Sequence, residues 1–118
     1  MIIDIISTHV KLLSTDLENI KFDNIPDTQR PLYDAGILAL KEISFALDNY
    51  FVDRLENKLH QDIIIAGMNF VTRWERFLSN LHSGSFSFGA TKTFHEYLLR
   101  FIKGALKYYR IWRLDLQK

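Results

Sequence analysis

Apolar residues recur three and four positions apart along most of this chain, the repeat that lays a stripe along one face of an α-helix. Ile3, Ile6, Val10, Leu13, Leu17 and Ile20 form the first series and predict a helix over about residues 2–21. Thr15 and Glu18 have the spacing of a capping box. The stripe crosses them without a change of phase, so a single helix is expected. Leu32, Gly36, Ala39, Leu40, Ile43, Leu47 and Tyr50 form the second series. Asp27 or Thr28 can cap it, and Pro31 suits a first turn, where its missing N–H would lack a helical partner anyway. That helix is expected to reach about Leu59, with a kink near Asp48 and Asn49.

The second helix carries another apolar series, Leu38, Phe45 and Val52, pointing well away from the first. A helix apolar on two sides is either central in its bundle or half-covered by another subunit. These three residues are the candidate partner interface. The third series, Ile63, Gly67, Phe70, Val71, Trp74, Phe77, Leu78 and Leu81, predicts a helix over about 62–81. Gly67 costs that helix about 1 kcal/mol against alanine, a cost consistent with close approach of another helix. The fourth helix is expected to start at the capping box of Thr93 and Glu96 and to end near Leu116. Its expected inner side is Phe94, Leu98, Phe101, Ile102, Ala105, Tyr108, Tyr109 and Trp112.

Breakers cluster in two places, around Pro26 and Pro31 and in the glycine- and serine-rich stretch 83–91. No partner strands stand beside that second stretch. The expected fold is all-α, a four- to five-helix bundle with mostly antiparallel neighbours, as a single domain over 1–118. Composition agrees: 118 residues, 47% hydrophobic and 25% charged, are ordinary for one globular domain. There is no cysteine, which excludes disulfides, thiolate metal sites and a cysteine nucleophile. Asp4 interrupts the apolar N-terminus and no basic segment precedes it, so a secretory leader is not expected. The apolar run Ile63–Met68 is far shorter than a membrane span. The expectation is a cytoplasmic protein with no membrane partner.

Charge changes this picture. The formal net charge is only +1. Yet residues 92–118 hold seven basic side chains against two acidic, while residues 1–91 hold eight basic against twelve acidic. Arg100, Lys103, Lys107 and Arg110 step by three, four and three, and no acid interrupts them. They are expected as one stripe opposite the aromatic side. Like charges on one face repel, and an anionic partner relieves that repulsion. These four are the candidate anion- and nucleic-acid-binding residues. Two plainer readings exist: a solvated face, or pairing with Asp48, Asp53, Glu56 and Asp62 of the same chain. Tyr97 and Trp112 would stack on bases if exposed.

Catalytic and metal signals are sparse. No two of His9, His60, His82 and His95 lie three or four apart, and the phosphate-binding glycine motifs are missing. No metal site and no cofactor are expected. One segment, Arg76-Phe77-Leu78-Ser79-Asn80-Leu81-His82, places an arginine a few residues before a histidine. It resembles the motif of the HEPN family of small helical bundles, many of which are metal-independent RNases. The resemblance implies a dimer cleft with His82 for proton transfer and Arg76 for the charge on phosphorus. A polar residue commonly follows the arginine in that family, and here Phe77 does.

Three functions are therefore on the table. The leading expectation is a non-enzymatic binding protein whose basic last helix contacts nucleic acid or an acidic protein. In size and class such a protein is similar to small helical subunits of RNA-guided defence complexes. The second is a protein-interaction module, a small regulator, immunity protein or phage-type inhibitor, docking or forming a homo-oligomer through Leu38, Phe45 and Val52. The third is the HEPN-like RNase.

Overall fold

Four amphipathic stripes give four helices. The computed structural model describes residues 2–17, 25–52, 57–80 and 89–116, and within these it leaves out the side chains of 51–52, 57–60, 89–91 and 112–116. The helices are α1 (Ile2–Asp16), α2 (Arg30–Val52), α3 (Asn57–Ser79) and α4 (Gly89–Leu116). A short 3-10 turn, Asp27–Gln29, leads into α2. No strand occurs among the described residues.

The packing is cyclic: α1 lies on α2 and α4, and α3 lies on α2 and α4. Contacts along the helices give their directions. Gly36 near the start of α2 meets Trp74 near the end of α3. Trp74 in turn meets His95 near the start of α4, while Gly67 meets Leu106 farther along it. Asp16 at the end of α1 reaches His95, and His9 lies on Phe101. Each of these three pairs is antiparallel, which makes an up-down-up-down bundle.

The core is continuous through all four helices. Ile3, Ile6, Val10 and Leu13 of α1 are buried, as are Ala39, Leu40, Ile43, Leu47 and Tyr50 of α2. Trp74 is wholly covered, with Phe70, Phe77 and Tyr33 around it at ring-centre distances of 6.2, 4.8 and 5.9 Å. Gly36 and Gly67 permit this closeness. A Cβ at Gly36 would overlap the Trp74 ring, and one at Gly67 would lie 2.8 Å from Leu106 Cδ1. The cost of Gly67 in mid-helix thus has a packing reason.

Several boundaries differ from those the sequence pattern predicts. The first helix ends at Asp16, and the expected continuation through 18–21 lies outside the described residues. The second starts after a 3-10 turn whose N-cap is Pro26, which has no side-chain acceptor; Asp27 and Thr28, the expected caps, lie inside that turn. It is helical through Asp48 and Asn49, and Asn57–Leu59, expected at its end, already belong to α3. The last helix starts at Gly89, one turn before the expected cap. Thr93 is interior, and Glu96 sits 4.0 Å from Lys92 instead. Nothing after Gly89 in that turn opposes helix, so the serine- and glycine-rich composition overstated the loop.

Candidate functional site

The last helix dominates the chemistry. His95, Leu98, Leu99, Ile102, Leu106 and Tyr109 are its buried face. Phe94, Phe101 and Tyr108, expected inside, are 39%, 45% and 60% exposed. The inner face is therefore rotated from the expected one. An aromatic residue counts as apolar in any stripe, and three of them outside the core pull the apparent axis away from the true one.

Arg100, Lys103, Lys107 and Arg110 are all exposed. They flank the buried face rather than oppose it, since about 100° of helical rotation separates the centres of the two sets. Lys103 Nζ lies 3.8 Å from Glu75 Oε1 on α3, a pair about half open to solvent. Such a pair contributes at most about 1 kcal/mol. No ion pair joins Arg100, Lys107 or Arg110 to any described residue. Among the described residues the row's ion pair is with Glu75 of α3; Asp53 and Glu56, two of the acids expected to pair with it, lie outside the described residues.

On the other flank of α4, facing α1, a groove of about 480 Å³ runs along the surface. Ile2, Ile5, Phe101, Gly104, Ala105 and Tyr108 line it, with Arg100 at its edge. His9 stacks on Phe101 at 5.1 Å between ring centres, only 16° from parallel. Its Nδ1 lies 2.7 Å from the Ile5 carbonyl, which holds the ring in place. Tyr97 leans on Phe101 at 4.8 Å. The Trp112 side chain lies outside the described residues.

A buried polar chain joins three helices. The Trp74 indole N–H donates to His95 Nδ1 at 3.0 Å, and His95 Nε2 lies 2.7 Å from Asp16 Oδ2. An indole can only donate, so Nδ1 accepts and the proton sits on Nε2, which donates to Asp16. Burial lowers the His95 pKa, against the opposing pull of the Asp16 hydrogen bond and charge. Both ring nitrogens are occupied, so this imidazole has no lone pair to offer a substrate. The chain is structural. It also accounts for an acid in the last turn of α1, where the helix dipole disfavours it. Sequence reasoning missed this chain; the available signal was that His95 keeps the spacing of the buried residues Leu98, Leu99 and Ile102.

The other candidates are more scattered. Leu38 and Phe45 on α2 are 60% and 68% exposed, and the Val52 side chain lies outside the described residues. Phe45 shares a shallow groove with Ile65 of α3, which is also exposed. Arg76 is exposed near the end of α3, and its carbonyl accepts from the Ser79 hydroxyl at 3.1 Å and the Asn80 amide group at 2.8 Å. His82, its counterpart in the HEPN-like motif, lies outside the described residues. Among the described residues no three His, Asp or Glu side chains gather as a metal site, and no helix is long and apolar enough to cross a membrane. The chain matches no family model, no curated protein and no solved structure.

Proposed function

We propose that the protein is a non-enzymatic nucleic-acid-binding subunit whose α4 takes the phosphate backbone along Arg100, Lys103, Lys107 and Arg110. The carrying observation is the exposure of all four on about three turns of one helix, with a single weak ion pair to any described residue. Four cations in that arrangement repel one another, and a row of phosphates neutralises them with release of counterions. Contacts of this kind hold a backbone and read little sequence.

The test is fluorescence anisotropy with a labelled oligonucleotide at low salt, comparing the wild type with Lys107→Glu/Arg110→Glu. The double variant should keep its helical circular dichroism and lose binding by at least about tenfold, since each lost phosphate contact is electrostatic. Unchanged affinity overturns the reading. Binding only to an acidic protein would assign the row to that partner class instead.

A second reading rests on a different face. Phe45 of α2 and Ile65 of α3, both exposed, line a shallow groove between these helices, and Leu38 is exposed two turns before Phe45 on α2. Exposed apolar clusters of this kind mark protein contacts. The protein would then hold nucleic acid on α4 and a protein neighbour, or a second copy, on α2–α3.

A further inference from the structure

We infer that the groove between α1 and α4 is a base-stacking slot, so that the nucleic acid bound by this protein is single-stranded. This inference rests on the phosphate-binding reading of α4 and adds which form of nucleic acid it takes.

Gly104 supplies the first observation. It sits inside α4, where glycine costs about 1 kcal/mol against alanine. Gly36 and Gly67 incur the same cost and each seats a neighbouring side chain, but a Cβ on Gly104 would meet nothing within 4 Å. The fold has no need of a glycine there. Its effect is to keep the groove open at the backbone, with Phe101 three residues before and Tyr108 four residues after on the same side. A planar group can therefore lie against the helix backbone between two rings.

The second observation is the rings themselves. Phe101 and Tyr108 remain about half exposed, and Tyr97 extends the series by one turn. The His9 ring lies parallel to Phe101 and covers one of its faces, which holds that ring in place beside the groove. Aromatic platforms beside a basic track are the working parts of single-strand binding, because every base has a π-face. In a duplex those faces are covered by their neighbours.

Charge selects the occupant. Arg100 belongs both to the basic row and to the edge of the groove. A strand with its phosphates on Arg100, Lys103 and Lys107 has its bases beside Gly104. A second copy of this chain laid on the groove would bring its own basic row near this one, which disfavours self-pairing at this face.

The experiment compares three probes of equal length at low salt: a twelve-nucleotide oligouridylate, the corresponding abasic strand, and a duplex. The abasic strand has the phosphates without the bases. The oligouridylate should bind about tenfold or more tighter than the abasic strand, the factor that stacking of one base supplies. Gly104→Leu, whose Cβ meets nothing within 4 Å, should fill the groove, reduce oligouridylate binding to the abasic level and leave abasic binding unchanged. Phe101→Ala should act in the same direction, and Gly104→Leu should melt no lower than the wild type. Equal binding of oligouridylate and abasic strand overturns the stacking slot while leaving the phosphate row intact. Tighter oligouridylate binding that survives both variants likewise overturns it. No binding of any probe overturns both readings together.

Discussion

Trp74 and His95, twenty-one residues apart in sequence, share a hydrogen bond of 3.0 Å in the core, with the indole donating to Nδ1. That bond requires a neutral imidazole, because a protonated Nδ1 would point a second donor at the indole N–H. Burial holds the His95 pKa below its ordinary value. An unfolded histidine titrates near about 6.5. Below that pH the unfolded chain takes up a proton that the folded chain refuses. Stability is therefore fully present above about pH 6.5 and is lost as pH falls toward the folded pKa. Urea midpoints at about pH 7.5 and pH 5.5 should differ more for the wild type than for His95→Gln, which removes this component. Every group other than residue 95 is common to both proteins. An identical pH difference in the two would contradict the assignment.

Asp16 supplies the far end of the same chain. Asp16→Asn keeps an acceptor for the Nε2–H of His95, whereas Asp16→Ala leaves that buried donor without one. The alanine variant should lose about 1–3 kcal/mol, the cost of an unsatisfied buried group, and the asparagine variant less. Chemical denaturation of the two variants side by side reads the difference.

The three helical glycines should respond in order to alanine. Gly36→Ala drives a methyl into the Trp74 ring, which has no free space to retreat to, and should cost about 1–3 kcal/mol despite the better helix propensity. Gly67→Ala meets the end of the Leu106 side chain, which can turn, and should cost less. Gly104→Ala meets nothing and should gain about 0.5–1 kcal/mol. Thermal melts of the three variants check the order, and a destabilised Gly104→Ala would contradict the open groove.

These glycines also mark what the sequence made legible. Periodicity alone places Gly67 among the residues that face another helix, and the buried stripes of α1, α2 and α3 read directly from spacing because the exposed aliphatic residues there, Ile5, Leu12, Leu38 and Ile65, fall out of phase with them. The same rule fails on α4. Phe101 and Tyr108 are apolar by composition yet face outward, and His95 is polar yet fully buried. Stripe counting assigns both kinds to the wrong side. The basic row was legible in its spacing and its exposure. Its neighbours were not, since the pairing of Lys103 with Glu75 joins positions far apart in the chain. The Asp16–His95 bond spans seventy-nine residues and has no local signature.

Phe45 tests the α2–α3 face. It is 68% exposed, so Phe45→Glu should leave helical content and melting temperature nearly unchanged, within the about 0.5 kcal/mol usual for surface substitutions. If this face meets a second copy, sedimentation velocity at rising concentration should show the wild type associating and the variant monomeric. A monomeric wild type across that range would restrict the face to a different protein partner.

The central claim is that α4 binds phosphates, and the salt dependence of binding tests it most directly. For a single strand, log K falls against log salt with a slope of about −0.7 for each phosphate neutralised. Four side chains in one row therefore call for a slope near about −3 for the wild type and about half that for Lys107→Glu/Arg110→Glu, wherever residual binding is measurable. A slope near zero, or no binding to any oligonucleotide at low salt, would contradict the account.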